Sequence, residues 1–193
     1  MTKETTKEKI IEATIALIYE KGFKGTTTQL IAKKAGVNES TLFRHFGSKK
    51  GIMQEVIGRY SYVSMFSNSL KQEVTWDLEK DLYTFIIHYQ KFMHENKDYI
   101  LIGMQEAHAF PEMEEMIATI PKELKQLLTT YLEEMYKRGK LIKTDFEAQA
   151  LNIIWLNFGA FLSRARLGNL VTDMDSERFA RNSVGLFSRA LTP

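Results

Sequence analysis

Residues 31–53 read IAKKAGVNESTLFRHFGSKKGIM. Two short helical runs meet at Ala35-Gly36-Val37-Asn38, and Lys49 and Lys50 open a third. This spacing fits a helix-turn-helix. Helices that cross steeply need a small residue at the crossing, and Ala32 supplies it. The turn needs a residue that tolerates a left-handed backbone, and Gly36 does so without a Cβ penalty. Ile31, Ala35, Val37 and Leu42 fall where apolar side chains must plug the angle between the helices. Asn38 follows the turn as a cap for the second helix, expected through about Phe46.

That second helix has Glu39, Ser40, Thr41 and Arg44 on its outward face. A recognition helix enters the major groove with its N-terminal end toward the base edges. Ser and Thr can donate or accept there, Glu accepts from cytosine, and Arg favours guanine. Asn38, the cap, joins these four as a candidate DNA contact. The lysines raise a separate question, because a helix start carries partial positive charge and repels a cation. Helix N-termini also bind phosphate through their free N–H groups. A phosphate held between Lys49 and the helix start resolves the conflict. His45, Lys50 and the hydroxyls of Thr27 and Thr28 are placed to add to such a contact.

Charge supports the same end of the chain. Residues 1–50 hold ten Lys/Arg against five Asp/Glu, a net +5, whereas 51–193 carry a net −3. The basic quarter is the part that can seek a polyanion. The 193 residues contain no cysteine, so a disulfide framework and a thiolate metal site are excluded. The first 20 residues are studded with Lys and Glu, and no apolar run approaches the roughly 18 residues of a membrane span. A reducing, cytoplasmic location fits, with no membrane partner expected.

Helical periodicity runs almost throughout, and no stretch alternates at period two. Thr5-Thr6-Lys7-Glu8 is a capping box at the start of the first helix, which Gly22 is expected to end. Thr26, Thr27 and Thr28 offer caps for a second helix, stopped by Gly36. A fourth helix is expected from Lys49 toward residue 70. Beyond it we expect helices from Asp77 to about Glu95, from Asp98 to Ala109, from Pro121 toward Gly139, from Thr144/Asp145 to Gly168, and from Asp175/Ser176 to Leu191. Pro121 is read as a first-turn proline. The expected fold is all-α, with nine or ten helices and no sheet.

The stretch GFKGTTTQLIAKKAGVNESTLFRHFGSKKGIM, residues 22–53, resembles the TetR/AcrR-type transcriptional regulators. It carries that family's Gly-aromatic, Thr-Thr, Ile-Ala, Ala-Gly-Val, aromatic-x-His-Phe and Ser-Lys pattern. The resemblance covers about the first 60 residues; the rest is similar in helical character and length. It implies a three-helix DNA-binding head, a fourth helix linking it to an all-helical ligand-binding and dimerisation body, and a palindromic operator. It also implies a repressor released by a small molecule. Thr28, Gln29, Ser40, Thr41 and Phe43 fall at DNA-contacting positions of the family, and His45 and Lys49 at phosphate-contacting ones. Phe43 stands where the family often has Tyr, so a phenolic phosphate contact is absent. Ser40 stands where a Gly or other small residue is common. The usual leucine after Ser-Lys is shifted to Ile52/Met53.

The body is rich in Met and aromatic residues, which fill cores and also line adaptable pockets. With the resemblance, this composition implies an apolar effector pocket. Its candidate residues are Phe85, Tyr89, Phe92, Met93, Met104, Gln105, His108, Trp155, Asn157 and Phe158. The effector is expected to be apolar or amphipathic. The last two predicted helices mix small and large residues: Leu156, Gly159, Ala160 and Ser163 on one, Phe179, Ser183, Leu186 and Phe187 on the other. Two such helices per subunit could form a four-helix interface about a two-fold axis.

Catalytic signatures are absent. His88 and His94 lie six apart and cannot share a helix face as i, i+4 ligands do. Ser163 and Ser183 lack a Gly-x-Ser-x-Gly context. We therefore expect no cofactor, no metal and no enzyme activity. The sequence reads as a DNA-binding head over 1–48 and a ligand-binding and dimerisation body over 49–193. The function expected is a homodimeric, effector-released repressor of a palindromic operator. A rival reading is a helical small-molecule-binding protein or enzyme without specific DNA binding. Steeply salt-dependent retention on DNA separates the two.

Overall fold

A computed structural model describes residues 5–59, 74–109 and 111–193, leaving aside the side chains of 59, 108, 109 and 111–113. Nine helices occur among the described residues: α1 (Thr6–Gly25), α2 (Thr28–Ala35), α3 (Glu39–Phe46), α4 (Lys49–Arg59), α5 (Leu78–Glu95), α6 (Lys97–Ala109), α7 (Pro111–Lys137), α8 (Phe146–Leu167) and α9 (Ser176–Leu191). No strand occurs among them, and the fold is all-α. The expected continuation of α4 from residue 60 toward residue 70 lies outside the described residues.

The helix ends follow from local chemistry. Thr5 Oγ1 accepts the Glu8 N–H at 3.2 Å, and Glu8 Oε2 accepts the Thr5 N–H at 2.7 Å. Two orphan donors are thereby satisfied reciprocally. Asp77, Asp145 and Asp175 cap α5, α8 and α9 through their side chains. Asn38 occupies the cap position of α3, but its side chain makes no capping hydrogen bond.

Two expectations are corrected. Gly22 does not end α1; at φ 69°, ψ 171° it kinks the helix, which resumes for a short turn to Gly25. Pro121 does not begin a helix; it lies inside α7, which starts ten residues earlier at Pro111. Proline removes one intrahelical bond at that point. Met116, Leu124 and Leu128, buried on either side of it, keep the helix continuous.

The chain divides into two compact units. The first holds residues 1–61 and 98–117. Its core joins Ile10, Ala13 and Leu17 of α1, Ile31 and Ala32 of α2, Leu42 of α3, Ile52, Met53 and Val56 of α4, Ala107 of α6 and Met116 of α7. The second holds residues 62–97 and 118–193. There α5 packs on α8 and α9. Leu82, Ile86, Leu128, Leu132, Met135, Ile153 and Ala180 are almost completely shielded. Tyr131 stacks on Trp76 at 6.1 Å and donates to Asp81 Oδ2 at 2.8 Å. Burial and that carboxylate push the Tyr131 hydroxyl well above the ordinary tyrosine range. Among the described residues, no helix is long and apolar enough to cross a membrane.

Candidate nucleic-acid interface

Helices α2 and α3 meet at Gly36, which takes φ 67° and ψ 34° and whose N–H caps α2 on the Ala32 and Lys33 carbonyls. Ala32 is 4% exposed and Ile31 and Leu42 are fully buried, while Ala35 and Val37 pack at the margin of the same core. These are the residues whose spacing suggested the motif. Leu42 is the one fully buried residue of α3. Gln29, Asn38, Glu39, Ser40, Phe43, Arg44 and His45 are exposed, Thr27 likewise, and Thr28 and Thr41 are half-buried. Eight exposed polar or aromatic groups therefore surround the N-terminal halves of α2 and α3 and the end of α3.

α4 is pressed against the end of α3. A Cβ on Gly51 would lie 2.0 Å from the Phe46 carbonyl oxygen, so this approach needs glycine. Ser48 Oγ accepts the Gly51 N–H at 3.1 Å, and Thr27 Oγ1 accepts the Leu30 N–H at 3.2 Å. Each of these helix starts thus has one N–H capped from within. The macrodipole of each still favours an anion.

Three of the candidate contacts, Thr28, Glu39 and Lys49, have partners inside the protein that spacing did not reveal. Thr28 Oγ1 donates to Glu39 Oε1 at 2.5 Å, tying the start of α2 to the start of α3. Lys49 Nζ donates to the Phe23 carbonyl at 2.6 Å and sits 3.8 Å from the centre of the Phe23 ring. Half-burial there lowers the Lys49 ammonium below the usual lysine range. The cation at the start of α4 is thus steadied by a carbonyl dipole and an aromatic face.

In the second unit, Phe85, Tyr89 and Met93 line the buried face of α5, with Phe85 and Tyr89 stacked at 5.7 Å. Burial raises the Tyr89 hydroxyl above its ordinary range. Asn157 is fully buried and satisfied: it donates to the Ile153 carbonyl at 2.8 Å and accepts from Gln90 at 3.3 Å. Phe92 and Phe158 are half-buried. Met104 and Gln105 lie on α6 in the first unit, Gln105 exposed. His108 lies on α6 too, its side chain outside the described residues. Trp155 is 61% exposed and shares a stripe of α8 with Leu156 and Gly159, all facing outward. A cavity of about 100 Å³ is lined by Gln90, His94, Lys97, Phe161, Arg164 and Phe179 among others. Among the described side chains, none of those assigned to an effector lines it.

The interface candidates divide as well. Leu186 is 57% exposed on α9, Leu156 39% exposed on α8, and Gly159 is exposed beside it. Ala160, Ser163 and Phe179 are half-buried. Ser183 and Phe187 face inward and are buried within their own subunit.

An exposed short helix docked by one leucine, preceded by a glycine turn and a small-residue crossing, defines a helix-turn-helix DNA-binding protein. The comparisons narrow this class. Residues 10–56 match the model of the bacterial regulatory proteins of the tetR family, and residues 88–191 that of the AefR-like transcriptional repressor C-terminal domain. The HTH-type transcriptional regulator YvkB of Bacillus subtilis (strain 168) is 32% identical over 97% of each chain. IcaR of Staphylococcus aureus (strain Newman), the negative regulator of the biofilm operon icaADBC, is 27% identical over 78% of this chain and 80% of its own. The crystal structure of NalD from Pseudomonas aeruginosa superposes with a TM-score of 0.75, at 19% identity, over 97% of this chain and 96% of that one. The chain belongs to the TetR family and is a DNA-binding transcriptional regulator.

Proposed function

We propose that this regulator is a repressor that binds a palindromic operator as a homodimer and leaves it when a small apolar or amphipathic effector enters the body. The observation that carries the DNA part is the exposure of the α3 face around a single buried leucine. Ser40, Thr41, Arg44 and Glu39 then reach base edges, joined by Gln29 and Phe43, with Asn38 at the tip. Thr27, Thr28, His45 and Lys49 take the phosphates. One eight-residue helix contacts few bases, so two heads at a fixed half-site spacing are needed for specificity. Trp155, Leu156, Gly159 and Leu186 supply an outward apolar stripe for the second copy. IcaR and NalD are described as a negative regulator and a repressor, which supports the sign of the response.

The functional division falls at Ser48/Lys49, with a DNA-binding part before it and an effector and dimer part after it. The effector contacts are drawn from Phe85, Tyr89, Phe92, Met93, Asn157 and Phe158, all of the second unit. Trp155 fits the dimer stripe better than the pocket, given its exposure. Only differential affinity of the effector for free and DNA-bound conformations can drive release. The protein acts in the cytoplasm, without cofactor or catalysis. Selection of bound DNA from a random pool tests the reading: a two-fold symmetric consensus supports it, and recovery of no consensus at low salt refutes it.

A further inference from the structure

Phe23 is held at both polar ends. Its N–H donates to Glu106 Oε2 at 2.6 Å, and its carbonyl accepts from Lys49 Nζ at 2.6 Å as well as from the Thr26 N–H at 3.2 Å. Its ring lies under the same ammonium. Glu106 is 83 residues away in sequence, on α6, outside the helix-turn-helix. All three residues belong to the first compact unit. The arrangement depends on Gly22. The backbone there turns through φ 69°, which side-chain-bearing residues rarely adopt, and this exposes the Phe23 N–H that a straight helix would have used internally. A Cβ on Gly22 would come within 3.3 Å of the Glu106 carboxylate. The kink therefore does two things: it frees a donor, and it leaves room for the acceptor.

A carboxylate on an amide N–H is a charge-assisted bond, stronger than a neutral one and selective in direction. Fixing both ends of one residue fixes its carbonyl and its ring together. Those two groups are the cradle of Lys49. An ammonium on a four-carbon stem loses much rotamer freedom when it binds a phosphate. A cradle that holds it beforehand removes part of that cost from the binding step.

We propose that Glu106 is a positioning residue for DNA binding: by accepting the Phe23 N–H it fixes the cradle that aims the Lys49 ammonium at an operator phosphate. This rests on the phosphate role of Lys49 given above. It goes beyond that role by assigning part of the DNA affinity to a side chain that lies outside the residues matched to the tetR-family N-terminal model, 10–56.

The sign of the effect separates this from general electrostatics. Removing a carboxylate raises affinity for a polyanion if charge alone matters. Positioning requires that Glu106→Ala lower it, by about three- to tenfold, and that Glu106→Gln, which keeps an acceptor oxygen, stay near wild type. The loss must be equal for operator and non-operator duplexes, since phosphate contacts carry no sequence information. It must also vanish when Lys49 is already alanine, as coupled residues are not additive.

The experiment is a double-mutant cycle of Glu106→Ala and Lys49→Ala in full-length protein, with DNA affinity measured across a salt series and Glu106→Gln alongside. Lys49→Ala alone tests the phosphate role: a loss of about tenfold with a salt slope smaller by about one supports it. If Lys49→Ala changes nothing, the phosphate role fails. If Lys49→Ala weakens binding but Glu106→Ala does not, or the two losses add, the positioning role fails alone. Hydrogen exchange of the Phe23 amide in the wild-type protein gives a reading without any variant. Strong protection supports the bond to Glu106, and exchange at the rate of an open amide overturns it.

Discussion

Replacement of Leu42 by alanine should release α3 from the head before it unfolds the rest of the chain. Leu42 is 0% exposed and is the one buried residue of an eight-residue helix. A helix of that length is not stable alone in water, so packing must hold it. Half-buried Phe46 at its end and Thr41 give partial support. Truncating a fully buried leucine costs the transfer energy of the lost carbons and the cavity left behind, about 3 kcal/mol here. For a chain of this size unfolding as a whole, that corresponds to a drop of about 6–12 °C in the melting temperature. Leu42→Met keeps the volume and should cost less than about 1.5 kcal/mol. The assay is urea unfolding followed by circular dichroism, combined with hydrogen exchange at α3 amides. We expect the Leu42→Ala α3 amides to lose protection while those of α8, in the other compact unit, keep theirs. DNA binding should fall further than global stability, because an undocked α3 cannot present Ser40, Thr41 and Arg44 together. Wild-type protection of α3 in the Leu42→Ala protein would refute the claim that one leucine docks this helix.

Other expectations follow from single contacts. Gly51→Ala places a Cβ against the Phe46 carbonyl at 2.0 Å and should destabilise the first unit by about 1–3 kcal/mol, read by chemical denaturation. Tyr131→Phe removes the donor to Asp81 and should cost about 1.5–3 kcal/mol of stability without altering DNA affinity per folded molecule. Thr5→Ala breaks the capping box and should cost about 1 kcal/mol, with fraying at the start of α1 seen by hydrogen exchange. Trp155→Ser with Leu186→Ser should shift sedimentation toward monomer while leaving the helical spectrum intact, since both residues face solvent in one subunit.

The head was legible because its signals are local. Ala32, Gly36 and Leu42 act within a dozen residues of one another, and the capping box at Thr5 acts within four. Local rules misled where packing outweighed them. Pro121 looked like a helix start, yet buried Met116 and Leu124 carry α7 through it. Gly22 looked like a helix end, yet the chain turns there and resumes. In the body, composition named the right kind of residue without its direction. Trp155 and Phe85 have the same chemistry, but the register of α8 turns one outward and that of α5 turns the other inward. Ser183 and Phe187 fit a small-and-large pattern that serves packing within one subunit as well as between two. The bonds from Lys49 to Phe23 and from Phe23 to Glu106 span 26 and 83 residues, and no periodicity encodes them. The conflict of a lysine at a helix start was the one trace they left in the sequence.

The central claim is that the first unit grips the phosphates of a duplex through His45 and Lys49 beside the α3 face. Its most direct test is the salt dependence of duplex binding by wild type and by the His45→Ala/Lys49→Ala double variant. The account predicts weaker binding to every duplex alike and a salt slope smaller by about one for the variant, the charge removed being that of Lys49. Equal affinity and equal slope for the two proteins would contradict it.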